Sequence, residues 1–559
     1  MSILKLLCRP VLTCVAYPSP AVRLPFVTAG LLICSLLLAC GCVSRERLSL
    51  GLQPDLVLPE RAVLLFLVDG LDRNRFYELI GAGDLPHIER RFIRGGVQVQ
   101  SAVTGLPSIT YPNCTSTITG VFPGHHGIVG NFWFDRFELT ARYYMTLGTY
   151  RTSNQHFAVP TLFEMLHDHF TLNIQAHTRR GVRHTIDNAQ MFAWSWIMGW
   201  YMAADAHVAD SIADAAAAAN EVGRWPSIIL TYYPGVDEIG HKYGALSPEY
   251  RAAVQNIDGV VARITSAIDE AGLGDATYYV LATDHAHAPV MPDRRIDLIE
   301  WLRTSRNLRI RTAPLDDPDY RKRHAVMSGY DAVASVDSGR VSMIHQRGEG
   351  GGSQRPAPTE VLAWIQSEPS VMDLDAVEVA TFREGPDRVR LLSRGGAMSV
   401  ERRVDAQGKQ YRISNAQGDL LGLATAPELA RFVETGWHDS RAWLATSAGT
   451  KYPDLVPQVV EMFDSPRTGD VVLLASEASA FELPWLGGHG SCLASDMRIP
   501  LMFAGPDLPA GASIEFARLV DVVPTVLGLL GEAKRLETIP PLDGIDLSGQ
   551  LRSARPAAD

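Results

Sequence analysis

The chain has little of what marks several common protein classes. Only seven cysteines are spread over 559 residues. Cys8, Cys14 and Cys34 precede or interrupt an apolar N-terminal run, Cys40 and Cys42 end it, and Cys114 and Cys492 stand far apart. No C-x-x-C pair occurs, which excludes a disulfide framework and a thiolate zinc module. Basic residues are also short: 51 Lys and Arg stand against 62 Asp and Glu, a net charge of -11. A protein that coats nucleic acid needs basic surface to displace counterions, so that class is excluded. A small phosphorylated substrate remains open, because bound cations supply positive charge locally. The glycine-rich stretch 347–356 (RGEGGGSQRP) lacks the Gly-Lys-Ser/Thr ending of a P-loop and reads as a flexible loop. No fixed-period repeat runs along the chain.

What is present starts with an export signal. Lys5, Arg9 and Arg23 precede the apolar run 25–39 (PFVTAGLLICSLLLA), and small residues follow. The run ends Leu37-Leu38-Ala39-Cys40, which resembles a bacterial lipobox with Cys40 as the lipidated residue. An uncleaved apolar anchor over 24–42 and plain secretion are the alternatives. All three put the rest of the chain outside the cytoplasm, with a periplasmic, lipid-anchored protein as the leading expectation.

Beyond a polar linker, four continuous apolar runs each stop at polar residues. AVLLFLV (62–68) stops at Asp69-Gly70, and SIILTYY (227–233) is followed by Asp237. TYYVLAT (277–283) is followed by Asp284-His285, and DVVLLAS (470–476) by His489 in a glycine-rich loop. Such runs suit strands buried on both faces. Between the second and third, Ser247 and Pro248 open a helix whose face carries Val254, Ile257, Val261, Ile264 and Ile268. Buried strands alternating with amphipathic helices predict an α/β fold: a mostly parallel central sheet with helices on both faces. Ligands then bind beyond the carboxyl ends of the strands, where these polar groups fall. Residues 291–466 are richer in Arg, Gly and Asp. Alternation at Val377, Val379, Val389, Leu391, Met398, Val400, Tyr411 and Ile413 predicts a small antiparallel sheet. The expected organisation is 1–47 as signal and linker, 48–290 as core, 291–466 as a smaller α+β cap insertion, and 467–559 as the second part of the core.

Asp69, Asp237, His241, Asp284, His285 and His489 form the candidate ligand set. Imidazoles plus carboxylates without thiolates suit catalytic zinc, and six donors are too many for one tetrahedral ion. Two cations about 4 Å apart clamp the attacking and leaving oxygens of a displacement at phosphorus. Taken singly, each residue has a plainer use: an Asp after a strand caps or turns, and a lone His lies at the surface. His287 could stand behind the metal ligands, though a plain surface position is the leading expectation. The segment 105–120 (GLPSITYPNCTSTITG) offers a nucleophile at the start of a helix that Pro112 can open. Thr110, Ser108, Thr115 and Thr117 are rival hydroxyls by chemistry alone, and Thr110 could equally be the helix cap.

Residues 110–135 (TYPNCTSTITGVFPGHHGIVGNFWFD) resemble the nucleotide pyrophosphatase/phosphodiesterase branch of the alkaline phosphatase superfamily. VDG at 68–70, D-x-x-G-H-x-x-G at 237–244, DH at 284–285, HG at 489–490, RLVDVVPTVLGLLG at 518–531 and DGIDL at 543–547 follow in the family's order. Tyr111 replaces the usual Phe, and Ala286-His287 replace the usual Gly and Met. The segment lacks the C/S-x-P-x-R of sulfatases and the serine of the phosphoglycerate mutase branch. The resemblance implies Thr110 as nucleophile and two zinc ions. Asp237, His241 and His489 would hold one, and Asp69, Asp284, His285 and the Thr110 oxygen the other. Asn113 and the Thr110 N–H would bind a phosphate oxygen. The implied reaction is hydrolysis of a phosphodiester or pyrophosphate of a small phosphorylated substrate through a phospho-threonine. A phosphomonoesterase with Arg179, Arg180, Arg183 or Lys242 on the terminal phosphate, a phosphonate hydrolase, and a binding protein on a dead enzyme fold are the competing readings.

Overall fold

Ten strands build one sheet in the computed structural model, which describes residues 60–556 apart from 147, 187–194, 196–197, 223–224, 349–353 and 407. The export signal lies outside the described residues, as do 192–194 and 196–197 of the aromatic stretch 192–201 (FAWSWIMGWY). Among the described residues no helix is long and apolar enough to cross a membrane.

The sheet's labelled strands are β1 (Ala62–Val68), β2 (Gly96–Val103), β3 (Thr171–Ile174), β4 (His184–Ile186), β5 (Ile228–Tyr233), β6 (Thr277–Ala282), β7 (Leu501–Ala504), β8 (Ala512–Arg518) and β9 (Arg555–Pro556). They lie in the order β9-β8-β2-β7-β6-β1-β5-β3-β4, and the short strand Arg498–Ile499 pairs with the end of β2. β6, β1, β5, β3 and β4 are mutually parallel, as are β2 and β8, while β7 runs antiparallel to both its neighbours. In the centre Leu64 is level with Ile229 on one side and Tyr279 on the other. Every residue of β1, β5 and β6 is buried, which explains their unbroken apolar runs.

Helices flank this sheet. Pro248–Glu270 starts as its sequence predicts: the Ser247 side chain accepts from the Tyr250 N–H, and Pro248 is the first helical residue. Its predicted apolar face is buried, and the helix packs on the helices Tyr201–Val222 and Gly235–Tyr243.

A second, nine-stranded sheet follows the order Ile310–Arg311, Ala332–Asp337, Val341–Gln346, Val471–Ala475, Val377–Gly385, Arg388–Ser393, Gly396–Asp405, Gly408–Gly418 and His438–Asp439. All its pairings except the first are antiparallel. The alternating residues 377–413 form its meander. Val471–Ala475 corrects an expectation. Its apolar run places it in the central sheet with 467–559, but it pairs with Val341–Gln346 and Val377–Gly385. Five consecutive apolar residues report burial on both faces and carry no information about which covered sheet they enter. One buried cluster joins Val103, Ile109 and Tyr111 to Val379, Leu391, Val400 and Trp443, so the second sheet shares a core with the segment that carries Thr110.

Candidate metal centre

The carboxyl edge of the central sheet gathers the candidate residues. Asp69 directly follows β1, Asp284 and His285 follow β6, and Asp237 and His241 lie one turn apart on the helix Gly235–Tyr243 that follows β5. His489 arrives on the loop after Val471–Ala475. Its N–H donates to the Ser338 carbonyl, and residue 489 bridges to Gly339 in a turn of the second sheet.

Two groups of donors result. In the first, His285 Nε2 lies 3.2 Å from Asp69 Oδ1, 3.4 Å from Asp284 Oδ2 and 3.1 Å from Thr110 Oγ1. In the second, Asp237 Oδ2 lies 3.4 Å from His241 Nε2, Asp237 Oδ1 lies 3.5 Å from His489 Nε2, and the two Nε2 atoms are 3.2 Å apart. The rings of His285 and His489 stack with centroids 3.4 Å apart, so the two pockets share a wall.

The surrounding hydrogen bonds turn these atoms into lone pairs. The Nδ1 atoms donate to carbonyls: His285 to Ala286 at 3.0 Å, His241 to Gly487 at 3.1 Å, and His489 to Ser108 at 2.9 Å. That choice of tautomer, inferred from the network, leaves each Nε2 bare and facing its cluster. Asp69 accepts from the Tyr232 hydroxyl at Oδ2, while Oδ1 has no hydrogen-bond partner although it is buried. Asp284 Oδ1 accepts from the Gly70 N–H at 3.3 Å and the His285 N–H at 3.0 Å, and Oδ2 accepts from the Cys114 thiol at 3.6 Å. Facing acceptors with too few hydrogens among them is the arrangement a cation relieves.

The titration of these groups carries the same mark. Burial, then the charge of neighbouring carboxylates, pushes Asp69 and Asp284 well above the usual range. Burial disfavours charge on Asp237 too, but His241 outweighs it and holds this carboxyl well below. Burial likewise opposes a charged His241, yet Asp237 holds that ring up to about 9. Burial keeps His489 well below the ordinary imidazole range. Both groups of residues could hold a metal ion, and His287 lies within the second group as a fourth donor-type residue.

Thr110 begins the helix Thr110–Thr119, whose cap position is Ile109. It does not cap the helix, and its hydroxyl faces His285. The rival hydroxyls are engaged elsewhere. Ser108 donates to the Ser491 carbonyl, Thr115 to the Tyr111 carbonyl and Thr117 to the Asn113 carbonyl. The N–H groups of that first turn have no intrahelical acceptors.

Two expectations do not match the geometry. Asn113, implied as a phosphate ligand, is fully buried. Its Oδ1 accepts from the Gly105 N–H at 2.9 Å, and its Nδ2 donates among the carbonyls of Gly105, Pro107 and Ile109. Its amide is spent on fastening the loop in front of Thr110. Asn131 is better placed: its Oδ1 accepts from the Tyr111 N–H at 3.2 Å, which sets its amide beside the start of the same helix. His287 is buried, not exposed, and its Nδ1 lies 3.1 Å from Asp237 Oδ1. The short pairing of Ala288–Pro289 with Gly487–Gly488 covers it. The histidine spaced two beyond His285 was the available signal. Of the basic candidates, Arg180 is held by Glu164 and by the Phe157 and Val159 carbonyls, Arg183 by the His167 carbonyl, and Lys242 lies over the Tyr243 ring.

The family model of type I phosphodiesterase / nucleotide pyrophosphatase matches residues 63–348. The chain belongs to this family. Among curated relatives, an uncharacterized pyrophosphatase/phosphodiesterase of Schizosaccharomyces pombe is 23% identical over 257 residues, covering 44% of this chain and 48% of the relative. Human ectonucleotide pyrophosphatase/phosphodiesterase family member 5 is 24% identical over 285 residues, covering 49% and 54%. The chain thus spans about half the length of the curated relatives it matches. Among solved structures, inactive murine ectonucleotide pyrophosphatase/phosphodiesterase 5 in complex with AMP superposes with a TM-score of 0.54 at 14% identity, covering 89% of this chain and all of that one. The type I phosphodiesterase match ends at residue 348, before the strands of the second sheet from Val377 onward.

Proposed function

We propose that the protein hydrolyses a phosphodiester or pyrophosphate bond of a small, nucleotide-like substrate, with Thr110 as the nucleophile. One observation carries this reading: the Thr110 hydroxyl lies 3.1 Å from His285 Nε2, at a helix amino terminus and on the edge of a carboxylate–imidazole cluster rich in bare lone pairs. The donor set of nitrogens and carboxylates suits two zinc ions, one at Asp69, Asp284, His285 and Thr110 and one at Asp237, His241 and His489, which supply Lewis-acid stabilisation of the attacking and leaving oxygens.

The chain's own groups do the rest. Thr110 Oγ1 attacks phosphorus in line, the bond to the leaving oxygen breaks, and a phospho-threonine remains. The leaving oxygen departs on the side of Asp237, His241 and His489. The Thr110 N–H and the Asn131 amide hold a non-bridging oxygen, helped by the positive end of the helix dipole. Water then cleaves the phospho-threonine and restores the hydroxyl. Asn113 serves by fixing the 105–109 loop so that Thr110 meets the substrate in one geometry.

Turnover of bis-p-nitrophenyl phosphate against p-nitrophenyl phosphate tests the reading. The expected result is a clear preference for the diester that Thr110→Ala abolishes with metal content unchanged. Full activity in that variant sinks the assignment. We further place the enzyme on the outer side of a membrane through lipid on Cys40. Cys40→Ala should then move the protein from the membrane to the soluble fraction.

A further inference from the structure

His287 plays no part in the mechanism above, yet it lies against the Asp237 cluster. Its Nδ1 is 3.1 Å from Asp237 Oδ1, and its ring centroid is 4.8 Å from that of His241. Its other nitrogen, Nε2, is buried without a hydrogen-bond partner. Two glycines make room for the ring. A Cβ at Gly240 would come within 2.8 Å of Nε2, and one at Gly487 within 2.6 Å. Nε2 is therefore closed in by backbone and is not presented to the donors around Asp237.

We infer that His287 is a positioning residue that donates its Nδ1–H to Asp237 Oδ1 and so fixes which carboxylate oxygen is offered to a cation. With Oδ1 engaged, Oδ2 is left beside His241 Nε2 at 3.4 Å. Asp237 then contributes one oxygen beside the two imidazoles of His241 and His489. Three protein donors leave a position open for a substrate oxygen, as catalytic sites require. Histidine bonded to a metal-binding carboxylate sets that ligand's orientation and basicity. A residue kept only to fill space would not bury an unsatisfied ring nitrogen, since an apolar side chain fills the same slot without that cost. Asp237 Oδ1 is the acceptor within reach of Nδ1.

The proposal rests on the two-cation reading, and the test separates the two. Full-length protein is titrated with zinc against a competing chelator, and bound metal is counted. In His287→Ala one of two equivalents should bind about 10- to 100-fold more weakly while the other is unchanged. Diester hydrolysis should recover when zinc is raised. His287→Asn, whose amide can donate from nearly the same place, should restore most of the affinity. Gly240→Ala should reproduce the loss by forcing the ring out of its slot. An affinity for both equivalents within twofold of wild type in His287→Ala overturns the positioning role. So does an equal loss in His287→Asn and His287→Ala, which would make the ring a direct ligand. Wild-type protein that binds no metal overturns the two-cation reading itself.

Discussion

Two clusters of acids and histidines stand in this molecule, one buried and one half-buried, and they are built on opposite plans. At the rim of the central sheet, Asp69, Asp237 and Asp284 face His241, His285 and His489, with no lysine or arginine bonded to any of them among the described residues. Beside the second sheet, His125 lies between Glu461 at 2.6 Å, Asp464 at 3.1 Å and Asp543 at 2.5 Å. His125, Glu461 and Asp464 also satisfy the geometry of a metal site. This cluster, however, brings its own cations. Arg402 bonds Asp464 and Glu461, Lys409 lies 2.7 Å from Glu461, and the Tyr411 hydroxyl donates to Glu461 as well. Both His125 nitrogens face carboxylates, so the ring is held as a charged donor, with its pKa raised to about 11. Proximity of ligand-type residues is common to both clusters. What separates them is whether the protein has already balanced the charge.

The sharpest way to break that contrast is to remove the proposed nucleophile. Thr110→Ala should lower kcat by at least about 10³-fold with zinc content unchanged, since nucleophile deletions cost that much or more. Next, chelation should abolish activity and lower the melting temperature, because a ligand at about 100 times its Kd contributes about 2.7 kcal/mol to the folded state. Chelation should leave the His125 cluster untouched, so Glu461→Gln should bind the same two equivalents of zinc as wild type. Glu461→Gln should nevertheless destabilise the fold by about 3–5 kcal/mol in chemical denaturation, because it strips one partner from a buried ionic network. The smallest effect is one of pH. The folded-state pKa of His125, about 11, lies above its ordinary value, so its contribution is complete below about pH 6.5 and fades as pH rises towards 11. The stability gap between wild type and His125→Gln should therefore narrow from pH 6.5 upward. A gap that widens over that range would refute the charged-ring assignment.

Much of the rim was legible because strands buried on both faces give unbroken apolar runs, and the residue after such a run falls at the sheet's edge. Asp69, Asp237, Asp284 and His285 follow from that rule. His489 does not, because its strand belongs to the other sheet and an apolar run names no neighbour. The two asparagines show a second limit. Asn113 and Asn131 both follow Thr110, one closely and one well beyond the helix, but which amide is free depends on the path of the 105–109 loop, which spacing does not encode. His287 illustrates a third. Flanked by alanines in a post-strand loop, it looks peripheral until Ala288–Pro289 pairs with Gly487–Gly488 and closes over it.

Val471–Ala475 lies in one sheet and Leu501–Ala504 in the other, so the polypeptide changes layers between them, and His489 rides on that crossing. One donor beside Asp237 is therefore delivered from the opposite layer. The centre comes together only when both layers have docked, which makes it a latch between them as well as the proposed reaction site. A fragment ending before residue 471 would retain the threonine and five of the six acids and imidazoles, yet have no means of fastening the latch.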